Sequence, residues 1–298
     1  MMYIKNKKEM GMNALELYNY LKNNLNNLAR LYNINNLDDY YSQTDLRNNH
    51  ILSLNGMSRV FTQFVLHTQN ATMISGIVNF DKNYDFIRGV LMNFNPNDII
   101  TFYGIHTDGN GNNEASKRMV DTFRQGLHWD TTKSKNPDSI ITRFSNSIID
   151  GAIYFSEFSR KEDLVDDLIS HYSMNNHREL VSYLLTKIKH GFSVALCCDF
   201  LKELDTRFDL PKPDVHLMDV ISKYKGYDKS YYKKSSERAF ECIDDIIQIV
   251  NEIKSSENSE DNLTVYKFDR IVWLCCTGNF FITNDGSNLK DNLLNGIN

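Results

Sequence analysis

Lys187-Ile-Lys-His-Gly-Phe-Ser-Val-Ala-Leu-Cys-Cys-Asp-Phe-Leu201, followed after a short loop by Leu210-Pro-Lys-Pro-Asp-Val-His-Leu-Met-Asp-Val-Ile221, is the stretch that decides how the chain folds. It reads as a helix end, a tight turn at Gly191, an apolar helix to 204, a two-proline loop and a helix from Asp214 to Lys223. A glycine turn feeding a helix N-terminus presents backbone N–H groups that no helical carbonyl can meet, which suits a phosphate. Pro213 fixes the chain just before Asp214. The carboxylate then falls at an N-cap or first-turn position, where the helix dipole favours its ionised form. A fixed carboxylate beside a phosphate-gripping turn suits chemistry at the sugar of a nucleic acid. The plainer alternative is that Asp214 only caps a helix.

Working outward, apolar residues recur at three- and four-residue steps. Leu15, Leu17, Leu21, Leu25, Leu28 and Leu31 predict an amphipathic helix over 13–33. Asn55-Gly56 is a turn signal, and Ser58 is placed to cap an apolar helix ending near Gln69. Further helices are expected at 73–78, 83–93, 96–104, 114–127, 137–156, 160–171, 176–188, 237–254 and 264–278. The stretch after 283 reads as a frayed tail. The fold class is therefore all-α.

Composition agrees. The 298 residues include only 4 Pro and 14 Gly, too few for the turns of an all-β chain, and 41% are hydrophobic, enough for a core. No apolar run is long enough for a membrane span, and the N-terminus lacks the apolar core of a secretory signal. The five Cys (Cys197, Cys198, Cys242, Cys275, Cys276) are odd in number and lie in apolar helical runs. They predict buried thiols in a reducing cytoplasm, with neither disulfides nor a metal cage. The net charge of −5 counts against a uniformly basic nucleic-acid binder. Basic residues nevertheless crowd 187–234, and Lys-Tyr-Lys-Gly-Tyr-Asp-Lys-Ser-Tyr-Tyr-Lys-Lys at 223–234 interleaves aromatics with lysines, a pattern suited to nucleic acid.

The segment 187–221 resembles the helix–hairpin–helix DNA glycosylase superfamily, which includes endonuclease III and the oxoguanine glycosylases. Lys-Pro-Asp-Val-His-Leu at 212–217 is similar to that family's Val-Asp-x-His-Val-like signature, with Asp214 at the catalytic aspartate. Leu66-His-Thr-Gln-Asn-Ala-Thr72 is similar to the family's helix end carrying a Gln that enters the base stack. The resemblance implies two helical lobes around a DNA-binding cleft over 56–283, after an N-terminal helical extension at 1–55 and before a tail at 284–298. It implies catalysis by Asp214 and DNA contacts from Lys189, His190, Gly191, Ser193, Gln69 and Asn70. Trp129 and Trp273, in apolar surroundings, read first as core side chains and second as base-stacking residues. Where the family hairpin reads Gly-x-Gly, this chain has Lys189-His190-Gly191. Where strand-cleaving members carry a Schiff-base lysine, it has Ser193.

The implied activity is that of a monofunctional DNA N-glycosylase without cofactor or metal. It would act as a cytoplasmic monomer on double-stranded DNA containing a modified base. That base would be damaged, as in DNA repair, or hypermodified, as in glucosylated phage cytosine removed in antiviral defence. A helical DNA-binding module without chemistry and a protein-interaction scaffold are the rival readings.

Overall fold

The computed structural model describes residues 12–41, 53–70, 78–109, 111–127, 137–172, 176–256, 262–279 and 289–297. Among them are 13 α-helices, three short 3₁₀ turns and no strand. No helix among the described residues is long and apolar enough to cross a membrane. The helices group into two compact units, Met1–Gln43 with Asp209–Asn298, and Thr44–Phe208.

The first unit is built from α1 (Ala14–Leu31), α10 (Val215–Tyr224), α11 (Ser236–Lys254), α12 (Val265–Thr277) and α13 (Leu289–Asn295). Asn13 and Glu16 form a capping box that starts α1, each side chain meeting the other's backbone N–H at 2.9 and 2.8 Å. Leu17, Leu21 and Leu25 form its buried stripe, which packs on α11 and α12. Leu31, expected to continue that stripe, is 69% exposed, because α1 ends there and the next residue leaves the helical path. The N-terminal helix, expected from sequence to be an extension, instead contributes its leucines to the core formed by the C-terminal helices. α13 lies in the stretch expected to fray. It is held by Tyr20, whose hydroxyl donates to the Leu293 carbonyl at 2.9 Å, and by burial of Leu293 and Ile297. Leu289, Leu293, Leu294 and Ile297 recur at helical spacing, but the helix is only 7 residues long, too short a pattern to set apart from the surrounding Asn- and Asp-rich stretch.

The second unit contains α2 (Gly56–Gln69), α3 (Tyr84–Val90), α4 (Pro96–Tyr103), α5 (Asn113–Gly126), α6 (Pro137–Phe155), α7 (Lys161–Ser170), α8 (His177–Lys187) and α9 (Val194–Leu204). α2, α6 and α9 meet around Phe61, Phe64, Phe155, Phe192 and Phe200, with ring centroids 5.2–6.3 Å apart. Burying each ring stabilises by about 1.5–3 kcal/mol. Gly151 on α6 leaves the space that the Phe64 ring fills. All five cysteines are buried, and none is in a disulfide. The helix at 73–78 lies almost wholly outside the described residues.

Candidate functional site

The turn between α8 and α9 is fastened to α6. The Asp150 carboxylate accepts the backbone N–H groups of Lys189 and His190 at 2.8 and 3.0 Å, and the same oxygen lies 2.9 Å from His190 Nδ1. The Ser147 hydroxyl donates to the His190 carbonyl. Gly191 has φ +67°, and a Cβ there would run into Ser147 Oγ and Arg143. A glycine is therefore required for both conformation and space. Phe192 turns inward onto Phe64. Ser193 then caps α9, its hydroxyl accepting the Leu196 N–H at 3.3 Å. Lys189 and His190 stay exposed. Two hairpin amides are thus occupied by Asp150. The N–H groups of Gly191, Phe192 and Ser193 meet no acceptor among the described residues. The sequence showed the turn but not its anchor, because Asp150 is about 40 residues upstream in an ordinary helix.

Asp214 is the N-cap of α10. Its Oδ1 accepts the N–H groups of His216 and Leu217 at 2.8 and 3.0 Å, while Oδ2 makes no hydrogen bond among the described residues. The expectation that the helix end would favour its ionised form is corrected. Burial and the nearby charge of Asp269 push its carboxyl above the ordinary carboxylate range, and the Leu217 amide, Lys212 and His216 only partly offset them. Asp269 sits buried on α12 and accepts the Lys212 N–H at 2.9 Å. Sequence reasoning missed it. An acidic residue inside the apolar run Val265–Cys276 was the available signal, since an unpartnered carboxylate rarely enters a core.

Around this pair further carboxylates anchor the chain. Asp209 accepts the first two N–H groups of α12, from Val265 and Tyr266, at 3.0 and 2.8 Å. One turn beyond Asp214, the buried Asp219 is held by Lys233 and by Lys290, the latter at 2.5 Å. Burial opposes its ionisation, but those two hydrogen-bonded ammonium groups outweigh it and hold the carboxyl below the usual range. His216 is pulled the other way, its imidazole shifted below the ordinary value mainly by burial.

The remaining sequence candidates are scattered. Gln69 is nine-tenths buried, and its side-chain carbonyl accepts the Phe80 N–H at 3.0 Å, so it serves the interior. Asn70, the exposed C-cap of α2, is the member of the pair that faces solvent. Trp273 is half-buried under Arg270, whose guanidinium carbon is 4.8 Å from the ring centroid. Trp129 lies outside the described residues. In the Tyr- and Lys-rich stretch, Tyr232 is buried and donates to Asp245 at 2.5 Å, Lys225 pairs with Asp245 at 2.7 Å, and Arg238 covers Tyr231. These aromatics are engaged within the unit, and Tyr227 alone of the three in this cluster is substantially exposed.

Comparison of the chain with models of known families, with curated proteins and with solved structures gives no match.

Proposed function

We propose that the chain is a monofunctional DNA N-glycosylase of the helix–hairpin–helix kind, acting on a modified or damaged base in duplex DNA. The observation that carries this reading is Asp214. It is a carboxylate locked by two backbone N–H groups at a helix end, with one oxygen uncommitted and its pKa raised, about 20 residues after a helix–turn–helix whose turn offers unpaired amides. In this reading a backbone phosphate sits against Gly191, Phe192 and the start of α9, with Lys189 adding charge. The target base leaves the stack. The bond from C1′ to the base nitrogen breaks, and its electron pair departs with the base. The positive charge that develops on the sugar is stabilised by the Asp214 carboxylate. Oδ2 takes a proton from water as that water attacks C1′, a role for which a raised pKa is favourable. Ser193 has no amine for a Schiff base, so an abasic site is the end product.

The test is to incubate the purified chain with duplexes carrying oxidised, alkylated, deaminated and glucosylated bases and to identify released bases by mass spectrometry. Release from one class, lost in Asp214→Asn, supports the reading. DNA binding with no release from any class would leave the hairpin as a binding module.

A further inference from the structure

In the second unit a cavity of about 320 Å³ opens where α2 and α7 begin. That volume lies at the lower end of ligand pockets, roughly 300–1,000 Å³. Both helices start without a side-chain cap. Asn55 precedes α2 and makes no cap bond, and Arg160 precedes α7 and has no acceptor to offer. The helix starts at Gly56, two residues ahead of the Ser58 cap expected from sequence. The first-turn N–H groups of two helices therefore border one cavity without a side-chain acceptor.

The side chains of the wall are similarly uncommitted. Arg59 and Lys161 are both half-buried, and neither forms an ion pair among the described residues. They are close enough for Arg59 to help depress the Lys161 ammonium, after the larger effect of burial, with Arg207 adding to the repulsion and Asp205 and Glu162 opposing it. Gln63 is nine-tenths buried, lines the cavity and has no hydrogen-bond partner among the described residues. Its amide atoms keep solvent access, as they would where they face the cavity. The acidic groups nearby are largely accounted for. Glu203 in the wall binds His67 Nε2 at 2.9 Å, and Asp163 holds Arg160. Glu162 is exposed at the rim.

We propose that this cavity binds a phosphomonoester of about nucleotide size, with Arg59 and Lys161 supplying the charge and the Gln63 amide and the first N–H groups of α2 and α7 donating hydrogen bonds. The cavity meets the C-terminal end of α9 at Glu203, whereas the hairpin is at its N-terminal end. The eleven residues of α9 span about 16 Å. The inference does not depend on the glycosylase reading, because it is read by binding alone.

The full chain is titrated calorimetrically with inorganic phosphate and with deoxyadenosine monophosphate, with ionic strength held constant by chloride. Saturable binding is expected, weakened at least ten-fold in Arg59→Gln and Lys161→Gln and unchanged in Lys82→Gln, an exposed lysine of the same unit. Gln63→Leu, which keeps every charge, should weaken it several-fold and serves if a charge variant fails to fold. Anisotropy with duplexes bearing or lacking a 5′-phosphate separates the sources. Tighter binding of the phosphorylated duplex, lost in Arg59→Gln, identifies a DNA end, and equal binding identifies a free nucleotide. Absence of saturable binding at millimolar ligand, or affinities equal across the native chain and the Arg59, Lys161 and Gln63 variants, overturns the proposal.

Discussion

Asp269 holds the backbone N–H of Lys212 at 2.9 Å, and its charge helps to raise the pKa of Asp214 two residues further along. One buried side chain thus fixes the loop that carries the candidate catalytic group and also tunes that group. Removing the Asp269 charge should lower the Asp214 pKa. In Asp269→Asn the acidic limb of the pH–rate profile for base release should move to lower pH, since Asp214 would then be ionised in more acidic solution. Asn retains a carbonyl oxygen for the Lys212 amide, so the fold should persist. An unmoved limb would mean that Asp269 is structural only.

Asp214→Asn should leave folding and DNA affinity close to native, because Asn is also a good N-cap. Base release should fall about 10³-fold, the scale of several kcal/mol lost at a developing cation. Native product should contain intact abasic sites that break only with alkali, and borohydride should trap no covalent complex. Near-native release by Asp214→Asn would reduce this carboxylate to a helix cap.

Gly191→Val places a β-branched side chain at φ +67° and against Ser147 Oγ. Destabilisation of about 1–3 kcal/mol is expected from the backbone conformation alone, measured as the shift in urea midpoint. If the hairpin amides hold a phosphate as proposed, affinity for all DNA sequences should fall together, since phosphate contacts carry no sequence information. Selective loss for one base would place Gly191 elsewhere.

His67 should make stability depend on pH. It is buried between Asp199 and Glu203. Nε2 is 2.9 Å from Glu203, and Nδ1 is 3.2 Å from Asp199, near enough for charge attraction though off-line for a hydrogen bond. Burial disfavours the imidazolium, but the two carboxylates prevail and raise its pKa from 6.5 to about 9. A raised pKa contributes stability that is fully present below pH 6.5 and is lost as pH rises through about 9. The amount is on the order of 3 kcal/mol. Urea unfolding at pH 6 and at pH 9.5 should show this loss in the native chain and little of it in His67→Gln.

The sequence was most readable where a periodic face or a proline acted locally. The four-residue steps of Leu17, Leu21 and Leu25, the apolar run of α9 and the Pro213-Asp214 start of α10 all correspond to what they suggested. It was least readable where a single polar side chain reaches across the fold. Asp150 under the hairpin and Asp269 behind Asp214 are each an acid in an unremarkable helical stretch, and only packing discloses their partners. Gln69 shows the converse. A polar residue at a helix end looks solvent-facing until a second backbone segment, here at Phe80, supplies a donor to turn it inward.

The union of Met1–Gln43 with Asp209–Asn298 has a consequence for how the chain is made. Cys275 Sγ meets the Leu21 carbonyl across 254 residues. At about 5–20 residues per second, α1 leaves the ribosome roughly 13–50 s before its partner helix exists. Its leucine stripe must wait exposed or be shielded by a chaperone. The unit Thr44–Phe208 is contiguous in sequence and is fully synthesised within that interval. Synthesis therefore favours an order in which the middle of the chain is finished first and the two ends close last, the slow step being a long-range closure and not helix formation.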